Sequence, residues 1–160
     1  MLGAGFQPNL NQMWIGLDNL VALNRAGYTK VVNHLQTNFG SYKIVYKNFY
    51  MRDETMGYSF TLELDSFAIL EGPGFNLTDC FQTAYGLPFS TWDHQSVQGE
   101  NCAVKAGNVG WWFPPGCDFA CNPLGLNPVQ QPTNDDKSLY VGGVEPGQLV
   151  QMLVYFLSDV

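Results

Sequence analysis

Phe89-Ser90-Thr91-Trp92-Asp93 leads to Cys102, and Gly110-Trp111-Trp112 leads on to Cys117. Two cysteines with fourteen residues between them, flanked by large rings and turn formers, suit a covalently stapled loop. A staple closing a loop of that size is worth about 3 kcal/mol. Such a loop suits recognition outside the cell, and nothing in it suggests bond-breaking chemistry.

The four cysteines, Cys80, Cys102, Cys117 and Cys121, are even in number and contain no C-x-x-C pair, so a disulfide framework is the first reading. Four cysteines permit three pairings, and sequence alone does not choose among them. Cys102 with Cys117 and Cys80 with Cys121 is the preferred set. Buried free thiols and a four-thiolate zinc site are the alternatives, and the irregular spacing argues against zinc. Asn76-Leu77-Thr78 forms a glycosylation sequon, consistent with a secreted glycoprotein but common by chance.

With 160 residues the chain has the size of one domain, so residues 1–160 are expected to form a single unit. Hydrophobic residues make up 46% and charged residues only 13%, which excludes a disordered segment. Seventeen Gly and nine Pro favour short strands and irregular loops over long helices. A net charge of -7 repels phosphate backbones, which argues against nucleic-acid partners and adhesion to anionic membranes. No apolar run approaches the ~20 residues of a membrane helix, so no membrane insertion is expected. The first six residues lack the basic and apolar regions of a signal peptide, so a secreted protein implies that this sequence is a fragment.

Asp18 can cap a short helix starting at Asn19 and stopped by Gly27. Segments 28–32, 41–49 and 57–64 are rich in aromatic and β-branched residues and read as an antiparallel meander. From Gly72 to Leu139 the chain is loop-dominated, as functional surfaces often are. Leu149 to Leu157 is apolar almost throughout and reads as a strand buried on both faces. The two chain ends are therefore expected to meet in a central sheet. The fold class is α+β: a twisted, mainly antiparallel central sheet, short helices and a long, loop-rich, disulfide-stapled C-terminal region.

Trp14-Ile15-Gly16-Leu17-Asp18-Asn19-Leu20, Gly57-Tyr58-Ser59-Phe60-Thr61-Leu62, Phe89 to Asp93, Asn101-Cys102-Ala103, Gly110-Trp111-Trp112 and Cys117 follow in a fixed order. In that order and spacing the chain resembles the fibrinogen C-terminal globular domain, a family of extracellular recognition domains that includes ficolins, tachylectins, angiopoietins and tenascin tails. The resemblance is good over residues 12–117, while 118–160 diverge. The family's N-terminal subdomain is missing from this sequence.

The resemblance implies a calcium site at Asp93, Gln95, Val97 and Gly99, alternate positions that can aim several oxygens at a hard cation. Gln95 stands where the family has a second acidic side chain, which weakens attraction for calcium, and Glu100 is a nearby substitute. The same residues also read as a polar turn in which Asp93 caps its own backbone. A second implied site is a shallow pocket beside the Cys102–Cys117 bridge, walled by Trp112, Phe113, Gly116, Cys117 and Asp118, with the Gly116–Cys117 peptide bond in the cis form. Asp118 replaces the family's frequent histidine and disfavours anionic ligands. Trp111, Trp112 and Phe113 also read as packed core rings.

His34 reads as a surface or half-buried strand residue, and His94 is expected to point away from the metal loop. No nucleophilic triad, zinc-histidine cluster, carboxylate pair or phosphate loop is recognisable, so no enzyme is expected. What the resemblance implies is a secreted module acting in oligomers: an innate-immunity lectin gripping acetylated or hydroxylated glycans with calcium help. The alternative is a receptor-binding or extracellular-matrix interaction domain in which the pocket is vestigial.

Overall fold

The computed structural model describes residues 6–9, 12–72, 80–95, 99–117, 121–122, 140–141 and 149–158. Val97, Asp118 and Asn76 lie outside the described residues. Strands β1 (Phe6–Asn9) and β2 (Gln12–Trp14) form a small antiparallel pair of their own. Helix α1 (Leu17–Arg25) leads to β3 (Lys30–Thr37), β4 (Ser41–Met51), a 3-10 turn (Glu54–Met56) and β5 (Phe60–Glu71). After these come α2 (Cys80–Ala84), α3 (Cys102–Lys105), the short pair β6 (Cys121–Asn122) and β7 (Tyr140–Val141), and β8 (Leu149–Leu157).

The main sheet is antiparallel with strand order β5-β4-β3-β8, so β3 to β5 form the meander expected from their composition. The strands run further than the sequence suggested: β3 begins at Lys30 and continues to Thr37, and β5 begins at Phe60 and continues to Glu71. Two other expectations fail. β8 is an outer strand, paired only with β3 among the described residues, and Leu153 is 45% exposed, so it is not buried on both faces. The N-terminal strands pair with each other, so among the described residues only the C-terminal end joins the central sheet.

Helix α1 also starts earlier than read. Leu17 is its first residue and Gly16, at φ 90°, occupies the N-cap with no side-chain bond. Asp18 sits in the first turn, where a carboxylate suits the positive end of the helix dipole, and its Oδ1 accepts from Tyr58 Oη at 2.6 Å. The stop at Gly27 is as expected. Gly27 takes φ 99°, Tyr28 N–H reaches back to Leu23 O at 3.2 Å, and Gly27 N–H to Asn24 O at 3.1 Å, closing the helix with a left-handed turn. Leu17, Leu20 and Val21 share the face that packs on the sheet, and Asn24 docks the helix by donating to Phe49 O and accepting from Met51 N–H.

One face of the sheet carries the core. Val31, Leu35, Tyr42, Ile44, Tyr46, Phe60 and Leu62 from the strands meet Leu17 and Leu20 of α1 and the rings of Phe89, Trp111, Trp112 and Phe113 from the loops. The rings pack edge to face, Phe89 to Trp112 at 4.8 Å and Phe60 to Trp112 at 5.0 Å between centroids, a geometry worth about 0.5–1.5 kcal/mol per pair beyond burial. Trp112 Nε1 donates to Tyr58 O at 2.9 Å, which satisfies the one polar atom of a buried indole.

Candidate functional site

The loop region from Phe89 to Cys117 is built on two disulfides. Cys102 joins Cys117 and Cys80 joins Cys121, the set preferred from the sequence, and no described cysteine is free. The first bond ties α3 to the far end of the loop. The second ties α2 to β6.

Gly110 lets the loop lie close to the core: a Cβ there would stand 2.6 Å from the Phe89 ring. Ser90 and Trp111 then exchange backbone hydrogen bonds at 3.0 and 3.2 Å, and Thr91 and His94 do the same at 2.9 and 3.2 Å. These two bridges fix a tight turn whose tip is Trp92 and Asp93. Asn101 holds the turn from below: its Nδ2 donates to Trp92 O at 3.0 Å while its Oδ1 caps α3 by accepting from Val104 N–H. Trp92 is consequently a 60% exposed indole on a backbone fixed from three sides. Its presentation escaped the sequence reading, because Trp92 was read as part of a motif. The signal was present in the turn formers Thr91 and Asp93 around a ring that the Trp111–Trp112 pair leaves surplus to the core.

Within the expected cation loop, Asp93 Oδ1 accepts from Thr91 Oγ1 at 2.6 Å. That hydroxyl hydrogen bond is the main reason the exposed Asp93 carboxyl is held below the usual carboxylate range. Gln95 Nε2 donates to Gly99 O at 2.7 Å and to Glu100 O at 3.3 Å. The Glu100 carboxylate pairs with Lys105 Nζ. Among the described residues no group of three or more His, Cys, Asp or Glu is gathered.

The expected pocket wall is placed as follows. Trp112 is 3% exposed and Phe113 0% exposed, so both rings belong to the core. Gly116 is exposed and Cys117 half-buried. No described peptide bond is cis, which corrects the cis form implied for Gly116–Cys117. The chain turns instead through two consecutive left-handed residues, Gly116 at φ 86° and Cys117 at φ 57°, closed by Cys117 N–H to Pro114 O at 3.2 Å. Left-handed backbone is unfavourable for a side chain with a Cβ, and the Cys102–Cys117 bond accompanies it. His34 lies in β3, opposite Lys43 and Leu153.

An antiparallel sheet covered on one face by aromatic loops, with those loops stapled by disulfides, defines an α+β recognition scaffold. A sequence profile for the C-terminal globular domain of fibrinogen beta and gamma chains matches residues 2–142, and the chain belongs to that family. Its fold is similar to the fibrinogen-like globe domain of human ANGPTL2, with a TM-score of 0.77 at 21% identity, over 100% of this chain and 72% of that one. The globe domain of human ANGPTL6 matches with a TM-score of 0.60 at 23% identity, over 78% of this chain and 52% of that one. A lamprey fibrin D-dimer complexed with the peptide Gly-His-Arg-Pro-amide matches with a TM-score of 0.51 at 21% identity, over 69% and 38%. As a member of this family, the chain is a recognition and interaction module.

Proposed function

We propose that this chain is a secreted module whose partner is an extracellular protein, gripped through the Trp92 turn. The observation that carries this reading is the exposed Trp92 indole on a backbone pinned by Thr91, His94 and Asn101. A large ring with two rotatable bonds on a fixed backbone loses little entropy when it is covered, and tryptophan recurs among the residues that dominate protein interfaces. Two disulfides suit an oxidising compartment.

The calcium-assisted lectin reading has less to stand on. The described residues of the cation loop do not fit a resident calcium. Only Asp93 offers a carboxylate there, and the carbonyls of Gly99 and Glu100 converge on the Gln95 amide nitrogen, a donor in the place a cation would take. The rings expected to wall a sugar pocket are closed into the core.

An array of purified extracellular ectodomains, probed with the disulfide-bonded chain, tests the proposal beside a glycan array with and without calcium. Binding to an ectodomain that weakens at least ~30-fold in Trp92→Ala, with a blank glycan array, is the expected outcome. Calcium-dependent, acetyl-selective glycan binding with a blank ectodomain array would overturn it.

A further inference from the structure

The outer edge of β5 is one of the two open edges of the sheet among the described residues. β4 pairs with one side of it. On the other side, Gly86 N–H donates to Phe60 O at 2.8 Å and closes the first residue, and beyond it no described backbone group bonds that edge. Leu64, Phe67, Ile69 and Leu70 are each about half exposed, between 45% and 54%. Register places Leu64, Phe67 and Ile69 opposite the core residues Tyr46, Ile44 and Tyr42, so they continue the core face to a margin that nothing described covers. Unpaired strand edges with apolar side chains are templates for another strand.

Charge decides what kind of strand. Glu63, Asp65 and Glu71 lie along β5, with Lys47 beside Asp65 at 3.7 Å and no ion-pair partner for Glu63 or Glu71 among the described residues. A second copy pairing antiparallel about Phe67 would set Glu63 against Glu71, about Leu64 it would set Glu63 against Asp65, and about Ala68 it would set Asp65 against Glu71. In those registers like charges would stand directly opposite and destabilise a pair of copies, whereas a cationic strand would meet carboxylates of opposite sign along the edge. The net charge of -7 acts in the same direction at longer range.

The closed end of the edge supplies a seat for one cation. A shallow groove of about 250 Å³ is lined by Asn48, Tyr50, Thr61, Leu62, Glu63 and Tyr85. A β-bulge opens it: pairing with β5 shifts register between Lys47 and Tyr50, and Asn48 takes φ 52° there, its Nδ2 donating to Glu63 Oε2 at 3.1 Å. Tyr50 and Tyr85 are both more than half exposed. Two open phenol rings beside a carboxylate suit a lysine ammonium or arginine guanidinium, through ring faces and charge together.

We propose that the outer edge of β5 takes up an extended segment of a partner protein as a fifth strand of the sheet. Apolar side chains of that segment alternate with basic ones, and one Lys or Arg sits in the Tyr50–Tyr85–Glu63 groove. This surface shares no residue with the Trp92 turn, and the two proposals stand or fall separately.

The probe is a fluorescein-labelled eight-residue peptide alternating arginine with valine and phenylalanine, titrated into the full chain by fluorescence anisotropy in physiological salt. Saturable binding is expected, weakened at least ~10-fold by N-methylation of the peptide amides on its pairing edge and ~5-fold or more by Glu63→Gln or Tyr85→Ala. Both side chains are exposed, so circular dichroism of the variants should match the parent. Three results would overturn the proposal. One is equal binding of the N-methylated peptide, which charge alone explains. Another is no saturation up to ~1 mM. The third is a dimer of the chain in sedimentation that Phe67→Lys dissociates, which makes a second copy the occupant.

Discussion

Tyr58 should make this protein lose stability above pH ~10, and replacing it with phenylalanine should remove that contribution. Its ring is 1% exposed and its hydroxyl donates to Asp18 at 2.6 Å, tying the turn before β5 to helix α1. Burial, and then the carboxylate of Asp18, push its ionisation well above the usual tyrosine range. In the unfolded chain Tyr58 ionises near pH 10. Above that pH the unfolded state sheds a proton that the folded state keeps, so the contribution is complete below pH ~10 and falls by about 1.4 kcal/mol per pH unit as pH rises toward the folded value. Tyr58→Phe loses the hydrogen bond to a charged group, about 1.5 kcal/mol at neutral pH because Asp18 can still be hydrated. The variant escapes the alkaline slope, so the two proteins should become equally stable near pH ~11. Urea unfolding followed by tryptophan fluorescence at several pH values from neutral to alkaline measures both slopes. Parallel curves, with the gap unchanged in alkali, would refute the reasoning.

Three further outcomes follow from the loop region. Replacing Cys102 and Cys117 together by serine should cost about 3 kcal/mol in urea unfolding, from the 15-residue separation of the pair, and a loss under ~1 kcal/mol would show that the loop holds itself. Gly110→Ala drives a methyl to 2.6 Å from the Phe89 ring and should cost about 1–3 kcal/mol, whereas an unchanged midpoint would show that the ring moves freely. Millimolar calcium should leave the melting temperature of the natural chain unchanged and should raise it in Gln95→Asp, which removes the amide donor and adds a carboxylate; a rise of several degrees in the natural chain would reverse the reading of this loop.

How far the sequence could be read depended on the range of the interaction concerned. Strands β3 and β4 showed themselves through local runs of aromatic and β-branched residues such as Tyr42 to Tyr46, and the end of α1 through Gly27, because both signals are carried by neighbouring residues. The outer position of β8 was not legible. Its apolar run fits a central strand equally well, and its place depends on which strand it meets more than a hundred residues away. The second half of β5 was hidden by Asp65 and Ser66, which break the alternation at a register shift opposite Val45 and Tyr46. In the loops, the ring motifs were visible but their burial was not: Trp92 and Trp112 look alike in sequence, and only the Trp112 Nε1 bond to Tyr58 and its neighbours Phe60 and Phe89 separate the core ring from the presented one.

The two covalent links are nested, with Cys102–Cys117 lying inside the span closed by Cys80–Cys121. A protease that cuts the backbone once anywhere between Cys80 and Cys121 therefore releases nothing: both pieces travel together on a gel until a reductant is added. Intact mass without reduction would rise only by the water of hydrolysis. A form nicked once in these loops still carries every residue of the domain.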